Sequence, residues 1–397
     1  MISERAKSLK PSPTLALAAK AKELAALGHD VISLSVGEPD WDTFECAKRA
    51  GIEAIQKGFS KYTPANGIVE LRKAIAAQTS KDLGLNFTPD EVTVSTGGKF
   101  VIFSALQMVL DPGDEVIIPA PYWVSYPVMV ELAGGKAKIA VCDETVNFKL
   151  TPEILRNSIT PKTKVLILNS PSNPTGLAYT REELAALAKV LTDFPKVLIL
   201  SDDIYNRLFF AAPLAPHILH VAPELRPRTL VMNGASKTYA MTGWRVGWAL
   251  GPLEWVKAMS NYQSQSVSQA ATMSQWATIR AIEDGASELR TSLGELKTRR
   301  DRGLEMLRAI PGMSVSTPDG AFYFWPNVRA FLGRQFQGAT LNTASDFSNA
   351  LLNTQKVAVV PGIEFGLEGY VRLSFALKEQ RMAQAFERIR LFVSQIT

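Results

Sequence analysis

The chain has 397 residues, more than the roughly 250–300 at which a single hydrophobic core stops growing, so we expect two domains. Apolar residues make up 46% of the chain and charged residues 20%, which is typical of a globular protein and excludes a disordered one. The formal net charge is only +5 and basic residues form no long run, so we expect small anionic substrates rather than nucleic acid or a membrane surface.

The amino-terminal residues, MISERAKSLKPSP, lack the apolar stretch of a secretory signal, and no later segment is long and apolar enough to cross a membrane. The two cysteines, Cys46 and Cys142, are too few for a disulfide framework or a zinc cluster, and we interpret them as packing residues. These features predict a cytoplasmic protein, and most simply an enzyme.

Five short apolar segments predict buried strands. Their continuous apolarity suits strands that are covered on both faces by helices, as in a parallel sheet. Helical patterns lie between them, and Thr180 with Glu183 has the spacing of a capping box. The alternation predicts an α/β core of βαβ units. The five segments are EVTVSTGG (91–98), DEVIIPAPYW (114–123), KVLILNSPSNPTG (164–176), KVLILSDDIY (196–205) and TLVMNGASK (229–237).

Polar or glycine residues follow each of these predicted strands. In open α/β sheets, ligands bind at the carboxyl ends of the strands, so we expect the five loops to converge on one site. After about residue 290 the pattern changes to a charged helix followed by short strands, which predicts a second, smaller α+β domain. The residues at the strand ends are Gly97, Gly98, Lys99, Tyr122, Trp123, Asn173, Asp202, Asp203, Tyr205, Ser236 and Lys237.

Familiar hydrolase, metalloprotease and nucleotide-binding motifs are absent from the sequence. His217 and His220 have a spacing that suits a metal, but no carboxylate lies beside them in the chain, so we do not expect a metal site. Lys237 follows an apolar strand amid small and aromatic residues, where desolvation would suit it to Schiff-base chemistry. A surface loop lysine is an equally open interpretation of these residues alone.

The segment SKTYAMTGWRVG around Lys237 resembles the cofactor-lysine signature of class I aminotransferases of pyridoxal phosphate fold type I. Other segments agree in order and spacing, so the resemblance covers about residues 10–390 and is closest to the bacterial aspartate (aspartate/prephenate) aminotransferase branch. The matching segments are SVGEPDWDT, KYTPANGIVELRKAI, STGGK, LDPGDEVIIPAPYWVSYP, NSPSNPTG, SDDIY and YVRLSFA.

The resemblance implies a three-layer α/β/α large domain with a mainly parallel sheet, at residues 45–290. It implies that residues 1–44 and 291–397 combine into a smaller, discontinuous α+β domain. It also implies pyridoxal 5′-phosphate as cofactor, bound by Lys237 as a Schiff base. Asp202 would pair with the ring nitrogen, with Asp203 the less suitable neighbour.

The same resemblance implies the other cofactor contacts. Tyr205 and Asn173 would hydrogen-bond the phenolic oxygen, and Trp123 would stack on the ring, although core packing is the alternative for both aromatic residues. The backbone N–H groups of Gly98 and Lys99 at a helix start would bind the phosphate.

Three more side chains are assigned to the phosphate by the resemblance, namely Ser236, Arg245 and Tyr62. Tyr62 matches a tyrosine that reaches the cofactor of the other subunit, which implies a homodimer with shared active sites.

For the substrate, Arg372 matches the arginine that holds the α-carboxylate by a bidentate fork, with the Gly37 N–H beside it. Trp123 and Asn173 would also border the substrate. A side-chain carboxylate needs another partner, and the implied candidates are Lys99, Lys10, Ser12 and Thr14, the last three being equally compatible with an ordinary amino-terminal loop.

Three positions depart from the family pattern. Phe44 replaces a proline close to the expected substrate entrance, so this change is expected to bear on side-chain preference. Val69 replaces another proline, and Gly234 stands where more distant relatives have a phosphate-binding serine.

The sequence therefore predicts ping-pong transamination between an L-amino acid and a 2-oxo acid, most simply L-aspartate and 2-oxoglutarate. Aromatic amino acids, methionine, kynurenine and prephenate remain alternative substrates because the enzymes that use them share the cofactor residues. Two other classes of protein are less consistent with the sequence. A regulator built on this fold would need an extra winged-helix segment before residue 10, and a hydrolase using Ser236 and Lys237 would need an oxyanion motif that the sequence lacks.

Overall fold

A computed structural model describes residues 1–3, 6–7, 9, 11 and 13–397, with the side chains of 13–16 and 18 left aside. Its strands are β1 (Ile32–Ser33), β2 (Val92–Ser95), β3 (Glu115–Ala120), β4 (Lys136–Val141), β5 (Thr163–Asn169), β6 (Leu198–Asp202), β7 (Thr229–Gly234), β8 (Gly247–Leu250), β9 (Tyr323–Phe324), β10 (Gln335–Phe336), β11 (Ala339–Thr340), β12 (Val357–Ala358), β13 (Val360–Pro361) and β14 (Val371–Ser374).

The helices alternate with the strands through the first three quarters of the chain. They are α1 (Pro13–Ala26), α2 (Glu45–Gln56), α3 (Val69–Leu83), α4 (Gly98–Val109), α5 (Tyr126–Leu132), α6 (Pro152–Ser158), α7 (Arg181–Thr192), α8 (Ile218–Val221), α9 (Ala235–Thr238), α10 (Leu253–Ser264), α11 (Thr272–Asp284), α12 (Ala286–Arg308), α13 (Ala344–Gln355) and α14 (Glu379–Val393). Short 3₁₀ turns lie at Pro89–Glu91, Glu144–Val146, Pro223–Arg228, Arg329–Phe331 and Gly362–Phe365.

A seven-stranded sheet with the order β2-β8-β7-β6-β5-β3-β4 forms the centre of the molecule. The pairs β7/β6, β6/β5, β5/β3 and β3/β4 are parallel, which confirms the predicted α/β fold with a mainly parallel sheet. Strand β8 is antiparallel to both β7 and β2. The first predicted strand, β2, therefore runs in the same direction as the parallel strands, but the unpredicted antiparallel strand β8 separates it from β7.

Apolar side chains on both faces of the sheet explain why these strands lie between helices. Along β5, Leu166 and Leu168 belong to one buried cluster, whereas Val165 and Ile167 belong to the cluster on the other face. Such alternation within a continuously apolar run is what a doubly covered strand requires. Helices α3, α7 and α11 contribute to the first cluster, and α4, α5 and α10 to the second.

Local signals set the helix starts that matter for the site. The Thr180 hydroxyl accepts from the Glu183 N–H at 3.2 Å, and the Glu183 carboxylate accepts from the Thr180 N–H at 2.8 Å, which confirms the predicted capping box. Helix α4 begins at Gly98, directly after Gly97 in a left-handed conformation (φ 93°) that favours glycine. The amino terminus of α4 therefore lies at the end of β2.

A separate hydrophobic cluster gathers residues from both ends of the chain. It contains Ile32 and Leu34 near one end and Phe386 and Phe392 near the other. Strand β1 pairs in parallel with β12, which ties the two ends together. On this basis we propose the division into 45–290 and 1–44 with 291–397, with the second boundary falling inside helix α12.

Two of the departures from the family pattern differ in their burial. Phe44 is only 2% exposed, and its ring meets that of Tyr239 edge-on at 6.0 Å, so its side chain packs in the core, and its effect on side-chain preference stays a prediction. A side chain at Gly285 would come within 3.1 Å of the Phe44 ring, which shows how tightly this ring is enclosed. Val69 begins helix α3 and is 41% exposed.

Candidate active site

A cavity of about 390 Å³ opens at the carboxyl ends of β5, β6 and β7. This is the position at which ligands bind in open α/β sheets. Its wall contains residues from all five predicted loops, together with residues from near both ends of the chain. The predicted residues that line it are Gly37, Gly98, Lys99, Trp123, Asn173, Asp202, Tyr205, Ser236, Lys237, Arg245 and Arg372.

Of four other residues that were predicted to contact the cofactor or the substrate, the structure describes the side chain of Tyr62 alone. Tyr62 is 90% exposed on the surface of the chain. Lys10 and Ser12 lie outside the described residues, and Thr14 lies in the first turn of α1 with its side chain left aside. The assignments of these four residues stay predictions.

Lys237 lies on the short helix α9, directly after β7. Its ammonium donates to the carbonyl oxygen of Gly37, so it faces the loop that follows β1. Burial lowers the pKa of Lys237 to about 8, with Glu38 opposing the shift and Arg372 and Arg245 adding to it. A lysine with this pKa has a useful fraction of free amine near neutral pH, as nucleophilic and proton-transfer chemistry requires.

Asp202 ends β6 and is 3% exposed. One of its carboxylate oxygens accepts from the Tyr126 hydroxyl at 2.5 Å, and the other accepts from the Ile204 N–H at 3.2 Å. Burial raises the pKa of Asp202 to about 6, while these hydrogen bonds and the charge of Lys237 limit the rise. The carboxylate is therefore held ionised at neutral pH, in position to pair with a cation in the cavity.

Asp203 does not line this cavity. Its carboxylate accepts from the Ser201 hydroxyl at 2.7 Å and lies 3.4 Å from the imidazole of His217. Burial lowers the pKa of His217 to about 3, so this imidazole is neutral. The fold thus brings to His217 the carboxylate that its local sequence lacks, on the side of the strand away from the cavity.

The amino terminus of α4 forms a cradle for an anion. Arg245 approaches Gly97 so closely that a side chain there would lie 2.5 Å from the guanidinium, and a side chain at Gly247 would lie 2.4 Å from the Gly98 nitrogen. Small residues are therefore required for these backbones and the cation to meet. Backbone N–H groups at a helix start, with Arg245 and the Ser236 hydroxyl nearby in the wall, suit a phosphate.

Trp123 and Lys99 lie together in the cavity wall. The Lys99 ammonium is 5.2 Å from the centre of the Trp123 ring, within the range of a cation–π contact. Burial, and then the charge of Arg245, lower the pKa of Lys99. The edge-on contact of Trp123 with Tyr126, at 5.3 Å, sets the orientation of the indole.

Arg372 is a buried cation that bonds only to neutral groups. Its Nη1 donates to Asn173 at 3.0 Å and its Nη2 donates to the Ser35 carbonyl at 2.6 Å. Its Nε has no hydrogen-bond partner, and Arg372 forms no ion pair with any carboxylate in the described part of the chain. Because burying an unpaired charge is costly, this guanidinium at the cavity wall is suited to binding an anion.

Sequence reasoning missed several residues of the wall. Tyr126 follows Trp123 by three residues within the segment LDPGDEVIIPAPYWVSYP, so its position in the sequence was a usable signal. Asn169, whose side chain donates to the Asp202 carbonyl at 2.9 Å, had a similar signal at the end of β5. Tyr323 lies 118 residues from its partner Tyr205, and only the fold shows that they meet.

A profile of the family described as Aminotransferase class I and II matches residues 29–389 of the chain. Among curated proteins, the chain is 46% identical to a probable aspartate/prephenate aminotransferase of Rhizobium leguminosarum bv. phaseoli, with 97% of this chain and 96% of that protein covered. It is 41% identical to the aspartate aminotransferase of Bacillus subtilis, with 99% of each covered.

Solved structures of aspartate aminotransferases are also similar to this chain. The aspartate aminotransferase of Rhizobium meliloti superposes with a TM-score of 0.96 at 40% identity, over 100% of each chain. That of Thermus thermophilus with maleate superposes with a TM-score of 0.92 at 40% identity, over 99% of each chain.

Proposed function

The chain belongs to the aminotransferase class I and II family, and from this premise we propose that it transfers the amino group of L-aspartate to 2-oxoglutarate, giving oxaloacetate and L-glutamate. The observation that carries the proposal is that one cavity contains both Lys237 and Arg372, a buried cation with no carboxylate partner in the described part of the chain. An amine of lowered pKa beside a carboxylate-binding guanidinium is what an amino-acid substrate requires.

The cofactor that we propose is pyridoxal 5′-phosphate, and the residues present fit it. Its phosphate suits the cradle of Gly98, Arg245 and Ser236, and its cationic ring nitrogen suits the buried carboxylate of Asp202. Trp123 offers a flat face beside them. When bound, this cofactor supplies an electron sink for the bond that breaks at the substrate.

The protein's own groups perform the remaining tasks. Arg372 and the Gly37 N–H hold the α-carboxylate, which orients the hydrogen of the substrate Cα toward Lys237. The amine of Lys237 takes that proton as a general base, helped by a pKa of about 8 that is close to the working pH. The ionised carboxylate of Asp202 would keep the ring nitrogen of the cofactor protonated, because Tyr126 and the Ile204 N–H stabilise the ionised form of Asp202.

Lys99 supports a dicarboxylic substrate. Its ammonium is a cation at the cavity wall in addition to Arg372 and Arg245, and its lowered pKa reflects a partly desolvated site without an acidic partner. The similar Thermus thermophilus structure holds the dicarboxylate maleate. Lys10, Ser12 and Thr14 stay proposed as further contacts to the side-chain carboxylate.

Prephenate is the second candidate substrate. The Rhizobium leguminosarum relative and that of Cereibacter sphaeroides both carry it in their names, at 46% and 45% identity. Its own carboxylates would use the same cations.

We also propose a homodimer, supported by Tyr62, whose ring is 90% exposed although it is large and partly apolar. In the described part of the chain, no helix has the length and apolarity needed to span a membrane.

The proposed substrate is tested by steady-state rates on a panel of amino donors with 2-oxoglutarate as acceptor. We expect kcat/KM to be highest for aspartate and glutamate and much lower for phenylalanine. A preference for phenylalanine would overturn the proposed donor while leaving the aminotransferase activity intact. Prephenate in place of 2-oxoglutarate, with glutamate as donor, tests the second candidate.

Lys99→Met should lower the ratio of kcat/KM for aspartate to that for phenylalanine by about 10- to 100-fold, the effect of losing one hydrogen bond to a charged group. Methionine keeps the length of the side chain and removes only the charge and its donors. Lys136→Met, at an exposed position of β4, is the matched control and should leave the ratio unchanged. An unchanged ratio in Lys99→Met would remove Lys99 from substrate recognition.

Asp202→Asn should stabilise the cofactor-free protein at pH 8 while it weakens cofactor binding. Burial raises the pKa of Asp202 from 3.8 to about 6, so the folded state holds this proton more tightly than the unfolded state, and stability falls as the pH rises through 6. A neutral amide removes that loss, so we expect a melting temperature a few degrees above wild type at pH 8 and a vanishing difference near pH 4.

Asp90→Asn serves as control, because the side chain of Asp90 is 85% exposed, and it should show no such pH-dependent gap. Equal melting temperatures of Asp202→Asn and wild type at both pH values would show that burying the ionised Asp202 carboxylate does not lower the stability of the folded protein.

A further inference from the structure

Tyr323 lines the same cavity as Tyr205, Lys237 and Arg372. It lies on β9 and is fully buried. In the antiparallel pairing of β9 with β14, Tyr323 stands opposite Ser374, so Arg372, two residues along, lies diagonally on the same face. The register of the two strands therefore brings the phenol ring and the guanidinium together.

The hydroxyl of Tyr323 is 2.8 Å from that of Tyr205, and the two rings meet edge-on with centres 5.9 Å apart. Burial raises the pKa of both phenols, so both are neutral near pH 7 and each has one proton to donate. A single hydrogen bond between them uses one of these protons. If Tyr323 is the donor, the Tyr205 proton is left free to point into the cavity.

The ring of Tyr323 has a second contact. The central carbon of the Arg372 guanidinium is 4.5 Å from the centre of the Tyr323 ring and 5.0 Å from that of Phe365. Because Arg372 has no carboxylate partner in the described part of the chain, these two rings are the main stabilisation of its charge besides Asn173 and Ser35.

Gly37 leaves the space that the Tyr323 hydroxyl occupies. A side chain at Gly37 would lie 2.8 Å from that hydroxyl oxygen and 3.9 Å from Nη1 of Arg372. Gly37 also accepts the Lys237 hydrogen bond at its carbonyl. Tyr323 therefore lies against Gly37 and Arg372, which hold the α-carboxylate in the proposed reaction, and against Tyr205.

We propose that Tyr323 is a positioning residue for both sides of the site: its hydroxyl donates to Tyr205, and its ring holds Arg372 in place for the substrate carboxylate. This inference rests on the proposed function of the cavity. The resemblance to class I aminotransferases implies that Tyr205 would donate to the phenolic oxygen of the cofactor, and this would make Tyr323 the donor in the Tyr323–Tyr205 hydrogen bond. A phenol that accepts a hydrogen bond is a stronger donor to its next partner.

Two variants separate the two roles. Tyr323→Phe removes the hydroxyl and keeps the ring, whereas Tyr323→Leu removes both. The first readout is the pH titration of the visible absorbance of the holoenzyme, which reports the pKa of the bound cofactor. The second is the dissociation constant of succinate, a dicarboxylate without an amino or oxo group, measured by calorimetry.

In Tyr323→Phe the cofactor pKa should rise by about half a unit to one unit, because Tyr205 becomes a weaker donor to the deprotonated oxygen. Succinate should bind this variant as it binds wild type. Tyr323→Leu should show the same pKa shift and bind succinate about 10-fold more weakly, since the desolvated cation–π contact is lost. Tyr370→Phe is the matched control, because it removes a buried hydroxyl that donates to Glu144 at 2.7 Å, and both readouts should stay at wild-type values.

Tyr205→Phe distinguishes the ways in which the inference can fail. If Tyr205→Phe raises the cofactor pKa and Tyr323→Phe does not, the hydroxyl role of Tyr323 is overturned. If Tyr323→Leu binds succinate as tightly as wild type does, the ring role is overturned. A holoenzyme whose absorbance does not respond to Tyr205→Phe contradicts the proposed role of Tyr205 itself, and one without any visible band contradicts the proposed cofactor.

Discussion

Lys237→Ala is expected to abolish transamination, with kcat falling by roughly 10⁴-fold or more, since one side chain provides both the covalent attachment and the proton transfer. The visible band of the holoenzyme should disappear as well, although Gly98, Arg245 and Ser236 would still be available to bind the phosphate. Stopped-flow assays with aspartate and an absorbance spectrum of the purified variant measure both effects.

Lys237→Arg is the companion variant, because arginine keeps a positive charge but does not lose its proton in proteins. It should be as inactive as Lys237→Ala, which shows that a free amine rather than a cation is needed. Lys297→Ala, an exposed position on α12, should leave kcat and spectrum unchanged. Substantial activity in Lys237→Arg would contradict the role assigned to the amine.

Arg372→Leu is expected to lower kcat/KM for aspartate by about 10²- to 10⁴-fold, because two charge-assisted hydrogen bonds to the α-carboxylate are lost. Arg372→Lys should recover only part of this loss, since an ammonium keeps the charge and lacks the planar fork. The cofactor spectrum should persist in both variants, because Arg372 is assigned to the substrate. Steady-state kinetics with aspartate and 2-oxoglutarate give the comparison.

Arg329→Leu is a matched control outside the cavity. Its guanidinium also stacks on an aromatic ring, 4.8 Å from the centre of Tyr370, but it pairs with Glu144 at 3.1 Å. Its loss should leave KM for aspartate near the wild-type value. If Arg372→Leu also kept that value, the buried guanidinium would have no part in substrate binding.

The parallel part of the fold was predictable because its strands are apolar on both faces. Segments such as Val165–Leu168 read as buried strands without any knowledge of their neighbours. Strand β8 was not predicted, because the four residues Gly247–Leu250 are too short to show a period and follow directly on the lysine segment. Strand order also depends on long-range pairing, which is why the insertion of the antiparallel strand β8 between β2 and β7 emerged only from the structure.

The site residues that follow directly after predicted strands could be predicted from the sequence. Asp202, Asn173 and Lys237 each follow an apolar run, so their convergence follows from the parallel sheet. Tyr323 and the core position of Phe44 were not predictable in this way. Tyr323 reaches the cavity through the register of β9 with β14, and Phe44 is buried by Tyr239 and Gly285, which are distant in the chain.

The most direct test of the account is borohydride reduction of the holoenzyme, followed by proteolysis and mass spectrometry of the peptides. The account predicts a single reduced cofactor adduct, on the peptide that contains Lys237, and its loss when the protein is first treated with excess aspartate. An adduct on another lysine, such as Lys99, or no adduct in a yellow and active enzyme, would contradict the central assignment.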